Sequence, residues 1–493
     1  MPLQIIPTDE DPLEITCDAL IVGAFQDNGE TSLDDVGQRI DGALEGYLSE
    51  HLTDVGFKAK TAKVAELATM RRIPARSVCV VGLGPRGKTG TEEVRRAAAA
   101  AARSLSERSM VASTLHHSLD GDATTEAVAE GFVLGNYRFT KHKSDPHPSK
   151  LDQVQLPGAD PQRVARATAI GEATLLARDL SNEPPNALTP EALARKAQEV
   201  ADVNGVECTV WDEDMLRKRG FGGLLGVARG SELPPRFIEM RYRPDSPRGL
   251  VALVGKGVTF DSGGLSLKDA KSMETMKADM AGAAAVIATM GTLKKIDAHL
   301  EVMAFIPTTE NLPGGTAIKP GEVIRHYDGR TTEVNNTDAE GRLILADALA
   351  YAAEQNPDAI VDVATLTGGI MIALGLKSSG LFTNDDELCR ELEAAAVVAG
   401  ERVWRMPIYD DYQSDLSSEV ADTKNSGPRW GSPIIGAVFL QAHVPEGIPW
   451  AHLDIAGADW AEKAYDEGPK GATGAATRTL IRWIERRGSG GNG

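Results

Sequence analysis

The chain has 493 residues, too many for one ordinary hydrophobic core, so two domains are expected. With 42% hydrophobic and 25% charged residues it has the composition of a globular protein, not of a disordered or membrane-embedded chain. Lysine and arginine number 52 against 71 aspartates and glutamates; the formal charge of −19 disfavours non-specific binding to nucleic acid or anionic membrane.

Residues 1–14 are acidic and lack the basic and apolar stretches of a signal peptide. No run approaches the ~20 apolar residues of a membrane span. The four cysteines (Cys17, Cys79, Cys208, Cys389) form no C-x-x-C pair, which indicates neither a zinc knuckle nor a dense disulfide framework. The expected location is the reducing cytoplasm.

Residues 1 to about 145 alternate β-rich and helical runs. Residues 19–23 and 77–81 read as buried strands, and 92–107 as an Ala-rich helix. Residues 82–89, Gly82-Leu83-Gly84-Pro85-Arg86-Gly87-Lys88-Thr89, fit the phosphate-binding pattern G-x-x-x-x-G-K-[ST]. Such a loop works by aiming backbone N–H groups at phosphate, and Pro85 removes one donor. Gly90 delays the helix start towards Thr91, which puts Glu92 and Glu93 in its first turn, where they repel phosphate. The only Walker-B-like run, Ala359-Ile360-Val361-Asp362, lies in the other domain. A plain glycine turn is therefore the preferred reading. The adjacent His116 and His117 are expected to diverge.

Residues 141–160 hold three prolines among charges and read as a linker. Residues 161–180 read as one helix ending before the breaker Ser181-Asn182-Glu183-Pro184-Pro185-Asn186. The expected division is an N-terminal α/β domain over 1–160, a connecting helix and linker over 161–182, and a larger α/β domain over 183–493. In the latter, strands are expected at 250–254, 300–306, 359–363 and 450–455, with helices at 280–290 and 343–353. Apolar strands alternating with helices predict a mostly parallel central sheet covered on both faces, with ligands beyond the strands' carboxyl ends. Residues 488–493 are Gly/Ser-rich and expected to fray.

The densest chemistry is Asn336-Thr337-Asp338-Ala339-Glu340-Gly341-Arg342-Leu343, two carboxylates and a guanidinium before an apolar helix. In an extended segment Asp338 and Glu340 would point the same way. Upstream, Lys256 and Asp261 follow a strand in a Gly-rich segment, Lys268 comes seven residues later, and Asp279 stands where a helix N-cap would. Four carboxylates and three cations thus fall at element ends in one domain. Converging carboxylates repel unless cations intervene, and carboxylate bridging suits a two-metal cluster. The nine histidines offer no H-E-x-x-H, His452 reads as core, and no G-x-S-x-G nucleophile elbow is present.

The octapeptide matches, residue for residue, the signature of the leucyl aminopeptidase (cytosol aminopeptidase, M17) family. Gly255-Lys256-Gly257…Phe260-Asp261-Ser262-Gly263-Gly264, Met276-Lys277-Ala278-Asp279-Met280, Ala364-Thr365-Leu366-Thr367-Gly368, Trp450-Ala451-His452-Leu453-Asp454-Ile455-Ala456-Gly457 and Gly471-Ala472-Thr473-Gly474 also resemble its blocks. The resemblance spans about 178–485; the first domain is similar only in length and alternation. It implies a two-metal exopeptidase that releases N-terminal, leucine-like residues from peptides by attack of a metal-held water. Lys256, Asp261, Asp279 and Glu340 would bind the tighter ion; Asp261, Asp338 and Glu340 would bind the exchangeable one. The ions would be Mn²⁺ or Zn²⁺, with Mg²⁺ or Co²⁺ as alternatives. Lys268 and Arg342 would be catalytic, Arg342 beside a bicarbonate, and Met276, Thr365 and Gly368 would line the substrate pocket. Ala281 and Gly369 depart from the usual small residues and touch packing or pocket shape. The resemblance also implies a homohexamer of two trimers, with the first domain serving assembly or regulation. A DNA-binding role, as in some relatives, is the alternative from another class.

Overall fold

The computed structural model describes residues 3–27 and 29–490. Of the expected frayed tail, 491–493 lie outside the described residues, while Gly488 closes the last helix, Thr477–Gly488. The chain divides into two compact units, one running to residue 175 and taking in 462–470, the other holding 176–461 and the chain from 471 onward.

The first unit is built on a seven-stranded sheet. Its order is Gln4–Thr8, Gln153–Pro157, Met110–Ser113, Ala19–Asp27, Ser77–Pro85 and Val64–Ala68, with Glu30–Leu33 beside Ala19–Asp27. Among the described residues, Glu30–Leu33 and Val64–Ala68 pair antiparallel and the other strands of this sheet pair parallel. Residues 153–157 fall inside the segment read as a linker. The alternation Gln153-Val154-Gln155-Leu156 buries Val154 and Leu156, and Pro157 ends the strand where a missing N–H costs no ladder bond. The 462–470 segment is held by Arg95, whose Nε donates to Glu467 Oε1 at 2.9 Å, and by Arg96, 2.7 Å from Asp466.

The phosphate-loop pattern adopts another geometry. The strand runs on through Pro85, Arg86–Lys88 forms a 3₁₀ turn, and the helix Thr91–Ser104 begins with Glu93 accepting from the Gly90 N–H at 2.9 Å. The helix end is thus capped by its own carboxylate. His116 and His117 do not diverge. They lie on a 3₁₀ turn, Leu115–His117, and both Nε2 atoms reach the Pro157 carbonyl, at 2.9 and 2.8 Å. Burial pushes the His116 pKa down to about 4.

The second unit has a nine-stranded sheet. Trp450–Asp454, Ala359–Ala364, Leu250–Gly255 and Glu301–Asn311 run parallel at its centre, and Gly257–Asp261 pairs parallel with the far half of Glu301–Asn311. Antiparallel pairings lie outward, at Ser379–Thr383 on one side and at Arg236–Tyr242 and Glu207–Trp211 on the other. Helices Ala281–Met290 and Gly341–Ala353 are buried along their whole length, as their nearly uninterrupted apolar sequence requires. This is the two-domain α/β architecture with a mostly parallel central sheet. Among the described residues no helix is long and apolar enough to cross a membrane.

Candidate active site

Lys256, Asp261 and Thr365 stand at the carboxyl ends of Leu250–Gly255, Gly257–Asp261 and Ala359–Ala364. Their side chains meet those from two loops and a 3₁₀ turn, Met276–Ala278. Lys256 is buried, 2% exposed, and its Nζ has three acceptors: Asp279 Oδ1 at 2.7 Å, the Thr365 carbonyl at 2.8 Å and Glu340 Oε1 at 2.9 Å. Asp279 does not cap the helix that follows. Its Oδ1 accepts from Lys256 and, at 2.8 Å, from Thr365 Oγ1.

Lys268 bridges the other pair, 2.8 Å from Asp261 Oδ2 and also paired with Asp338. Asp338 and Glu340 converge through a turn at 337–338, not along an extended segment, because the Ala339 N–H bonds back to the Asn336 carbonyl. Ligand oxygens of Asp261, Asp338 and Glu340 lie within 4.8 Å of one another, a group able to hold a metal ion. Arg342 is buried one step into the next helix. Its Nη1 donates to the Asn425 carbonyl at 2.9 Å, and its Nε has no partner among the described residues.

Six of the expected site residues therefore form one contact network, with Arg342 beside it. Of the pocket candidates, one is in contact with the network and two are near its residues in the chain. Thr365 touches it directly, Met276 lies three residues before Asp279, and Gly368 opens the helix Gly368–Leu374 three residues after Thr365.

The electrostatics are unbalanced. Four carboxylates face two ammonium groups, with the Arg342 guanidinium near Glu340, so negative charge is in excess. Burial pushes Asp279 well above the usual carboxylate range, with Glu340 and Asp261 adding and Lys256 opposing. Asp261 is raised by burial and Glu340 against both lysines. Burial works against charge on Lys256 and Lys268 as well, but their carboxylate neighbours outweigh it and hold both amines above the ordinary lysine range. Burial lowers Arg342 to about 10, against the pull of Glu340 and Asp454.

The donor set fits divalent cations. Asp279 Oδ2 and Glu340 Oε2 are buried without a hydrogen-bond partner among the described residues, and Asp338 Oδ1 faces Lys268 without a directed hydrogen bond. Buried carboxylate oxygens are almost always satisfied, so unpartnered ones on and beside the Asp261, Asp338 and Glu340 group suit metal ligation.

Sequence reasoning missed the side chains that tie the loops together. Asn311 Nδ2 donates to Asp261 Oδ1 at 2.8 Å and to the Thr337 carbonyl at 2.9 Å. Thr337 Oγ1 donates to the Gly263 carbonyl at 2.6 Å and accepts from the Ser266 N–H at 2.8 Å. Neither the Asn at the end of an apolar strand nor the Thr inside the octapeptide has a spacing that announces this.

Fold and site together define an α/β enzyme with an acidic centre at the strand ends. Two family models match: "Cytosol aminopeptidase family, catalytic domain" over residues 175–481 and "Cytosol aminopeptidase family, N-terminal domain" over 21–146. A probable cytosol aminopeptidase of Syntrophotalea carbinolica is 41% identical over 500 residues, covering 98% of this chain and all of the relative. Among solved structures, the bottromycin maturation enzyme BotP, also known in complex with Mn, superposes with TM-score 0.86 at 40% identity, covering 96% of this chain and all of BotP. A variant of tomato leucine aminopeptidase gives TM-score 0.87 at 35% identity over 98% of this chain and 97% of that one. The chain belongs to the cytosol aminopeptidase family, and it is a peptide hydrolase of the aminopeptidase type. The likeness extends through the first domain, where the sequence blocks alone did not reach.

One close approach tests the packing of the centre. A Cβ on Gly341 would stand 2.5 Å from Lys256 Cε and 2.7 Å from its Nζ, and Lys256 is pinned by three acceptors. Gly341→Ala is expected to destabilise the protein by about 1–3 kcal/mol through overpacking, read as a lower urea midpoint. An unchanged midpoint would mean that Lys256 has room to move.

Proposed function

We propose that this aminopeptidase is metal-dependent and prefers leucine-like N-terminal residues. The observation that carries the reading is the set of buried, under-partnered carboxylate oxygens on Asp279, Asp338 and Glu340 beside two lysines. Lys256, Asp261, Asp279 and Glu340 are assigned to a tighter ion, and Asp261, Asp338 and Glu340 to an exchangeable one. Manganese is favoured by analogy with the Mn complex of BotP; zinc, magnesium and cobalt suit the same oxygens. When bound, such a pair supplies an acidified water and an electrophilic pull on the scissile carbonyl.

The protein's own groups divide the remaining work. Lys256 would have to lose the proton that Asp279 and Glu340 hold on it before it could ligate, so ion uptake would release acid. Lys268, partly exposed and held charged by Asp261 and Asp338, donates to the carbonyl oxygen as negative charge grows there. Arg342 stays protonated, and its partnerless Nε suits an anion such as bicarbonate as a proton carrier. A substrate's free α-amine, unprotonated, would bind one of the ions, which accounts for cleavage at the N-terminus and not within a chain. Met276, Thr365 and Gly368 are assigned to the pocket for the first side chain. The first domain, over about 1–160 with a connecting helix to 182, is assigned to assembly of a homohexamer, and the location to the cytoplasm; the name of the tomato relative supports the leucine preference.

Stripping divalent ions is expected to abolish hydrolysis of leucine amide, and Mn²⁺, Zn²⁺, Co²⁺ or Mg²⁺ to restore it; full activity in stripped protein would sink the reading. Lys268→Ala is expected to lower kcat about 10²- to 10³-fold while metal content by plasma emission stays at the parent level. Loss of both ions in that variant would reassign Lys268 to ligation. Asp338→Ala is expected to weaken only the exchangeable ion, whereas Glu340→Ala weakens both. Identical losses in two-site metal titrations would refute that asymmetry.

A further inference from the structure

The octapeptide loop is gripped from outside by one side chain. Asn425 follows the short strand Thr423–Lys424, which pairs with Thr331–Val334, and is 0% exposed. Its Oδ1 accepts from the backbone N–H groups of Asn335 at 3.0 Å and Asn336 at 3.3 Å. Its Nδ2 donates to the carbonyls of Asn336 at 2.6 Å and Ala339 at 3.2 Å. Its own carbonyl takes the Arg342 Nη1 bond at 2.9 Å, and its own N–H bonds to the Glu333 carbonyl at 3.0 Å. The amide's orientation follows from its partners: two N–H groups face the oxygen and two carbonyls face the nitrogen, so the flipped amide would lose all four bonds.

The two carbonyls bracket Asp338, lying two residues before it and one residue after it. Glu340 and Arg342 follow directly. Fixing these carbonyls fixes the turn from which Asp338 and Glu340 project, and the same residue's carbonyl holds one arm of the guanidinium. We propose that Asn425 is a positioning residue for the centre. One buried amide sets the ligand geometry at Asp338 and Glu340 and the aim of Arg342 together. The inference rests on the metal-dependent reading above. Outer partners that orient metal ligands are worth about 10- to 100-fold in metal affinity.

Asn425→Asp tests it. The side chain keeps its shape and one acceptor oxygen but sets a second acceptor against the carbonyls of Asn336 and Ala339. The control is Ser426→Ala, which removes the neighbouring link of Ser426 Oγ to Asn335 Oδ1 and touches nothing between 336 and 342. Calorimetric Mn²⁺ titration of stripped protein is expected to show about 10- to 100-fold weaker binding in Asn425→Asp and less than about twofold change in Ser426→Ala. At saturating Mn²⁺, kcat on leucine amide is expected to fall further than KM rises, because Arg342 loses its aim.

Parent-like Mn²⁺ affinity and kcat in Asn425→Asp would overturn the proposal. Equal losses in Ser426→Ala would overturn it too, since they would mean general damage to this strand pair. If Asn425→Asp does not fold, Asn425→Ser, which removes the amide without adding repulsion, is measured the same way, and parent-like affinity there also overturns it. A parent protein that binds no Mn²⁺ and cleaves no aminoacyl amide would instead defeat the metal-dependent reading.

Discussion

The second unit is organised around a charge deficit in a buried place. Asp261, Asp279, Asp338 and Glu340 share two lysines between them at the carboxyl ends of parallel strands. Burial alone would drive such carboxylates to protonate. Lys256 and Lys268 oppose this without cancelling it, and Asp279 and Glu340 still carry under-partnered oxygens. A cation denser in charge than ammonium is the natural complement to that donor set. The surrounding elements answer to the same need: glycine next to Lys256, apolar helices that exclude water, and amides that lock the loops.

The two lysines differ in ways that suit different work. Lys256 is built into the wall. It is 2% exposed, has three acceptors and lies against Gly341, where no Cβ would fit. A group held like this cannot follow a reacting atom. Lys268 sits on the loop after Gly263, whose φ of +86° a side chain would strain, and keeps part of its surface open. Its partners hold the charge without enclosing it, as a donor to a developing oxyanion requires.

Much of this was legible in the sequence because apolar runs announce buried strands, and carboxylates at their ends stand out against them. The central strands and both buried helices lie within a few residues of where periodicity puts them, save that the strand expected at 300–306 continues to Asn311. Other features depend on partners distant in the chain. Asn425 acts on Asn336 across 89 residues and Asn311 on Asp261 across 50; the Asn425 amide bonds only to backbone groups and Asn311 also takes the Thr337 carbonyl, and backbone carries no side-chain signature. The strand Gln153–Pro157 was masked by neighbouring prolines. His116 and His117 converge because a 3₁₀ turn meets a carbonyl at a strand end, a tertiary event that adjacency could not foretell.

Two glycine-rich segments with cations follow strands in this chain, and only one makes a centre. In 82–89 the local polar groups answer one another. Thr89 Oγ1 donates to the carbonyls of Leu83 and Pro85, and Glu93 takes the Gly90 N–H at the helix start. These bonds close the segment on itself as a turn, with Lys88 left on the exposed surface. In 261–268 and 336–342 the backbone is equally well satisfied, through Asn311, Thr337 and Asn425, yet side-chain oxygens are left converging and under-partnered. The distinction lies in where satisfaction stops. A loop whose backbone is locked while its carboxylates are spared is rigid and hungry for a cation at once, and no string of letters encodes that difference.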